Sequence, residues 1–131
     1  MNLYGGGNSA AKYIRYNQEK HMKIDFNGIS EKRTDRFCDG KGTTWLKMFD
    51  KSDVKFISGR LEPNSAIGMH KHTSDCEVIL VLSGKGKAIC DGETEMLSAG
   101  CCHFCPRGSS HAMTNTGNED LVFVACVPRQ I

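Results

Sequence analysis

The chain has 131 residues, and its 17 Lys and Arg against 15 Asp and Glu leave a net charge of +2 with acids and bases interspersed. Without a basic block it offers no electrostatic footprint for nucleic acid or for an anionic membrane. The longest apolar runs, 78–82 and 121–127, fall far short of a spanning helix, and the length fits one domain with a single core.

In chain order, residues 1–19 form an expected N-terminal arm. Gly5-Gly6-Gly7 opposes local order, although Tyr13, Ile14 and Tyr16 could add a strand to a neighbour. The arm lacks a hydrophobic core of signal-peptide length, and the seven Cys are an odd number where secreted domains usually pair theirs. A soluble, cytoplasmic protein with reduced thiols is expected, its domain running over 20–131. Residues 20–39 are mixed and polar, with Ile24, Phe26 and Ile29 as sparse anchors, and predict a short strand within irregular chain.

From Thr43 onward, short strands alternate with turn residues. Strands are predicted over 45–49, 54–61, 77–82, 87–90, 93–97, 102–105, 111–115 and 121–127. Asp91-Gly92 is a two-residue hairpin signal. No amphipathic helix is evident, which points to an all-β sandwich or barrel.

The stretch 62–84 carries the chemistry. His70 and His72 share a face only if the backbone is extended, because strand side chains alternate with period 2. Glu77 follows five positions later and opens the β-branched, aliphatic run Val78-Ile79-Leu80-Val81-Leu82. Two imidazoles and a carboxylate would thus converge from two extended segments joined by the polar turn Thr73-Ser74-Asp75. That is three-quarters of a metal's ligand set, and a further ligand is expected from a later strand.

Gly100, Pro106, Gly108, His111 and Asn115 resemble the second signature of the cupin superfamily: Gly, five residues, Pro, one residue, Gly, two residues, His, three residues, Asn. His70, His72, Glu77 and Gly84 resemble the first, with Asn64 where it opens on Gly. Asn also tolerates positive φ. The resemblance covers roughly 43–127. It implies a small double-sheet jelly-roll barrel holding one divalent transition metal on His70, His72, Glu77 and His111. Mixed nitrogen and oxygen ligation suits Mn, Fe, Ni, Co or Zn alike. In oxalate-handling cupins of the decarboxylase type an Arg tends to precede the His pair. Here those positions read Ser65-Ala66-Ile67-Gly68-Met69.

Other residues are open to two readings each. Alternation puts Cys101, His103 and Cys105 on one face, which the cupin resemblance implies is the inward one, so His103 is either an extra polar group in the barrel or a hydrogen-bonded structural residue. Met69 and Met113 flank the ligands as pocket wall or core filler. Arg60 either orients an anionic substrate or is a surface charge. Asp75 is expected to be solvated, and Asn115 to hydrogen-bond in a turn. Cys102 and Cys105 form a C-x-x-C, but residues three apart on a strand face opposite sides, so the cysteines over 101–105 are expected to act as small hydrophobes.

The expected partner is a small molecule, with neither nucleic acid nor membrane involved. One reading is a metal-dependent enzyme (oxidoreductase, isomerase or lyase) acting on a hydroxy acid, dicarboxylate or sugar. The alternative is a non-catalytic module that binds or senses a small ligand or the metal; a barrel that has lost its chemistry is a third. A homodimer is expected, because Val78, Leu80 and Leu82 make the outer side of the 77–82 strand apolar too, with the N-terminal segment as the alternative cover.

Overall fold

The computed structural model describes residues 22–129. The expected arm over 1–19, and the strand its 13–16 piece could add, lie outside them. Among the described residues are ten strands and two single turns of 3-10 helix, Phe26–Gly28 before the first strand and Phe37–Asp39 after it. The strands are β1 (Lys32–Asp35), β2 (Thr43–Asp50), β3 (Val54–Leu61), β4 (Ala66–Lys71), β5 (Glu77–Ser83), β6 (Lys85–Cys90), β7 (Glu93–Ser98), β8 (Cys102–Cys105), β9 (Ser110–Asn115) and β10 (Leu121–Pro128). The all-β reading holds, and the predicted strands all appear, most of them longer by a residue or two.

The strands form two antiparallel sheets, one of six in the order β1-β2-β3-β10-β5-β8 and one of four in the order β4-β9-β6-β7. Their apolar inner faces pack together, Leu46, Ile57, Leu61, Ile79, Val81 and Phe123 from the larger against Ile67, Ala88, Leu97 and Met113 from the smaller. This is the small, double-sheet, all-β architecture expected. Alternation is clearest in β10, where Leu121, Phe123, Ala125 and Val127 are buried and the residues between are not. Asp91 and Gly92, at φ 50° and 83°, turn β6 into β7 as a two-residue hairpin requires. Asn64 takes φ 64°, the conformation that lets it replace Gly in the first signature.

Two features set the open end of the barrel. In β4 the pairing runs Ile67 with Met113 but His70 with His111, so three residues of β4 span what two span in β9. This bulge at Gly68-Met69 reverses the phase of alternation. Ile67 and His70 therefore both face inward, and Met69 is turned out at 52% exposure. The expectation that Met69 walls the pocket fails for that reason, whereas Met113 does line it.

The second feature is the segment after β1. Arg36, Cys38 and Asp39 all have left-handed backbones, at φ 53°, 56° and 58°, each a strained choice for a residue with a side chain. Gly40 and Gly68 let the segment press against β4, since a Cβ on Gly40 would strike the Ala66 carbonyl oxygen and one on Gly68 that of Cys38. The contact carries Phe37 and Cys38 to the barrel mouth.

All seven cysteines are free thiols. Cys105 is buried and Cys102 exposed, as their opposite facing demands. The reading of the cysteines as small buried hydrophobes holds for Cys105 but not for Cys102, which points to solvent on an edge strand. No helix among the described residues is long and apolar enough to cross a membrane.

Candidate metal centre

His70, His72, Glu77 and His111 meet at the open end, each offering one ligand atom, and these atoms lie within 4.8 Å of one another. His70 sits on β4 directly across from His111 on β9, and His72 follows one residue past the end of β4. Glu77 is the first residue of β5, in the opposite sheet. The two extended segments of the sequence reading are thus neighbours in the chain but walls of different sheets, and the turn between them crosses the barrel mouth.

The nitrogens converge closely. His111 Nε2 is 3.0 Å from His72 Nε2, 3.1 Å from His70 Nε2 and 2.9 Å from Glu77 Oε1. His72 Nε2 is 3.4 Å from the same oxygen. The outer nitrogens show which atoms carry protons. His70 Nδ1 lies 2.8 Å from the Gly68 carbonyl oxygen and His72 Nδ1 lies 2.6 Å from Asp75 Oδ1. Both partners only accept, so each Nδ1 donates, and a neutral ring then presents a bare lone pair at Nε2. Lone pairs and a carboxylate facing one another inside a barrel are unfavourable without a cation, and they match the neutral-imidazole donor set of a divalent transition metal.

Electrostatics follow from this packing. Burial lowers the pKa of His70, whereas the hydrogen bond with Glu77, helped by Asp75, outweighs burial and raises that of His72. Burial alone would raise the Glu77 carboxyl, but the adjoining His111 and His72 imidazoles hold it at about 2. Glu77 therefore stays ionised.

The four side chains floor a cavity of about 120 Å³ with mostly apolar walls, among them Phe37, Ile57, Ile67 and Phe123. Lys55 and Cys38 also line it. Lys55 makes no ion pair among the described residues. Lys55 was legible in principle, because it shares a face with Ile57, Gly59 and Leu61 at period 2. Cys38 was not, since no local pattern announces the left-handed segment that places it.

The remaining sequence candidates fall as follows. Asp75, partly exposed as a turn residue, also holds His72 through its Oδ1. His103 is 1% exposed and stands behind His111, 3.0 Å from it, with Glu95 on its other nitrogen. Asn115 donates to the carbonyls of Leu61 and Glu119 and accepts from the Gly117 amide, as a turn-holding residue should. Arg60 lies outside the site: it bridges Glu31 and Asp120 and stacks over Trp45 at 4.8 Å. Its surface reading stands and its substrate-orienting one falls.

Residues 58–127 match the family described as Cupin domain. The chain is 38% identical to the oxalate-binding protein of Thermotoga maritima over 113 residues, 81% of this chain and 93% of that protein. A crystal structure of a predicted oxalate decarboxylase, also from Thermotoga maritima, superimposes with a TM-score of 0.78 at 29% identity, covering 83% of this chain and all of that one. A sugar phosphate isomerase of the cupin superfamily from Silicibacter pomeroyi shares the fold, with a TM-score of 0.68 at 20% identity over 83% of this chain and 76% of its own.

Proposed function

The chain belongs to the cupin family, and from that premise we propose that it holds one divalent transition metal on His70, His72, Glu77 and His111 and takes a small, oxygen-rich anion there. The observation that carries this is the set of inward lone pairs facing Glu77 at the floor of an apolar cavity. When bound, such a metal supplies Lewis acidity and an activated water or oxygen. Three neutral imidazoles and one carboxylate leave a divalent cation with net positive charge, which favours a chelating anion such as a hydroxy acid or dicarboxylate. Lys55 meets the anion's far end, and the apolar walls keep competing water out. The name of the Thermotoga maritima relative makes oxalate the first ligand to test.

Whether the bound anion reacts separates two readings. Beyond the four inward groups, the cavity's ionisable lining is Lys55 and Cys38, and burial raises the Cys38 thiol above its ordinary range. With Lys55 as proton donor the site is an enzyme of the oxidoreductase, isomerase or lyase kind. Without one it is a binding or sensing module, a reading favoured by the lack of an Arg at 65–69.

The experiment is a thermal-shift series on metal-loaded protein with oxalate, malonate, glycolate and neutral sugars. A ligand bound only by the folded state raises the melting temperature by mass action. Oxalate or glycolate should shift wild type but not Glu77→Ala, and Lys55→Met should weaken binding about tenfold with metal content unchanged, the scale of one lost charge contact. No shift with any acid sinks the proposal, while incubation of the hits with each candidate metal and O₂, read by mass spectrometry, divides enzyme from binder.

We also propose a homodimer. Leu80, Leu82 and Phe104 on the outer face of the larger sheet are 39%, 50% and 55% exposed, an apolar area on one side of β5 and β8 that a second copy would bury. A monomer by light scattering at micromolar concentration would overturn it.

A further inference from the structure

His103 and Glu95 stand outside the four convergent side chains and join the two sheets. His103 is on β8, at one edge of the larger sheet, and Glu95 is on β7, at one edge of the smaller. The His103 ring is fully enclosed, whereas the Glu95 side chain is 55% exposed. His103 Nδ1 meets Glu95 Oε1. Its Nε2 lies 3.0 Å from His111 Nδ1, with the two rings stacked at 21° and their centroids 5.2 Å apart.

With a cation between His111 Nε2 and Glu77, one proton count fits this row. The Glu95 carboxylate can only accept, so Nδ1 of His103 carries hydrogen. A neutral His103 is then an acceptor at Nε2, and His111 must donate to it from Nδ1. That leaves His111 a lone pair at Nε2, the atom aimed at Glu77, His70 and His72. In the reverse order, His103 donates from Nε2, and a neutral His111 then carries its proton on Nε2, pointing an N–H into the cluster where a ligand atom is needed. Glu95 thus selects the state of an atom two side chains away.

We propose that Glu95 and His103 are positioning residues for the metal centre, setting the tautomer of His111 so that its Nε2 is permanently a donor to the metal. His70 and His72 are set directly by a carbonyl and a carboxylate, the common arrangement for ligating histidines. His111 is set through an interposed imidazole, which keeps its carboxylate at the surface. The inference rests on the metal reading above.

The experiment uses the full chain loaded with zinc and labelled with ¹⁵N. Two-bond proton–nitrogen spectra report each histidine tautomer directly, independently of any activity. Wild type should show His103 and His111 both protonated on Nδ1. Glu95→Ala should mix the His103 tautomers and weaken zinc about 10–100-fold in a chelator competition, the range typical of lost outer partners. His103→Leu should do the same, whereas His103→Gln should bind zinc within several-fold of wild type, because its amide oxygen accepts from His111 while its NH₂ donates to Glu95. A role confined to stapling the sheet edges would lower the melting temperature of the metal-free variants and leave zinc affinity unchanged. The proposal is overturned by a wild-type spectrum with His103 protonated on Nε2, or by a folded Glu95→Ala variant that holds zinc as tightly as wild type. Wild type that takes up no zinc overturns the metal reading as well. Since Glu95 is largely exposed, its variant keeps the test decisive even if His103→Leu does not fold.

Discussion

The same strands bury polar side chains at both ends of the barrel, and the two ends treat them oppositely. β9 carries His111 at one end and Asn115 at the other, four residues apart and both on its inner face. At the far end, every capacity of Asn115 that the structure shows is met by backbone, the Leu61 and Glu119 carbonyls and the Gly117 amide. At the mouth, outer nitrogens are satisfied by Gly68, Asp75 and His103, while the inner ones face each other. A buried polar group completed by its own chain is architecture. One completed on its outer side alone is prepared for something that arrives from outside.

The largest expected effect breaks the mouth. Replacing His111 or Glu77 by Ala should reduce metal affinity well beyond the roughly 100-fold that loss of an outer partner costs, with elemental analysis after dialysis near zero. The metal-free proteins should remain folded by circular dichroism. Bound metal at one equivalent in either variant would refute the ligand assignment.

A smaller effect of opposite kind is expected at the far end. Asn115→Ala leaves the Leu61 and Glu119 carbonyls and the Gly117 amide without their partner, a cost of about 3 kcal/mol that should lower the melting temperature by about 10 °C. Metal content of the folded protein should stay at one equivalent. If Asn115→Ala loses metal while still folded, the two ends are coupled and the comparison fails.

The smallest effect sharpens the contrast through pH. In the metal-free protein the His72 pKa is raised above 6.5, chiefly by Glu77. The stability this contributes is complete below 6.5 and is lost as pH rises through the folded value. Glu77 is lowered from 4.5 to about 2, so its contribution is present above 4.5 and lost as pH falls toward 2. His70, lowered by burial, works against His72 and favours folding as pH rises. Metal must displace the His72 proton to bind, so the melting-temperature gain from metal should grow between pH 6 and pH 8. The cost of Asn115→Ala should be the same at both values, since the groups it bonds are backbone carbonyls and an amide. A metal-induced gain that is flat with pH would show that His72 does not shed a proton on binding.

What the sequence by itself determined is whatever depends on local repeat. Strand alternation placed Glu77, Ile79 and Val81 inward and set Cys102 against Cys105; the spacing of His70, His72, Glu77 and His111 marked a convergent set; Asp91-Gly92 marked a hairpin. Each of these follows from backbone geometry over a few residues, which side-chain type reports directly. What only the tertiary structure decided depends on contacts between the sheets. The bulge at Gly68-Met69 sends Met69 out and Ile67 in, because β4 must match the register of β9. Asp75 folds onto His72 because its turn spans the two sheets, and Glu95 reaches His103 only where the edges of β7 and β8 approach. Cys38 reaches the cavity on the left-handed segment after β1, far from the histidines in the chain. Local sequence carries no record of such juxtapositions, because what selects them is the burial of two apolar faces against each other.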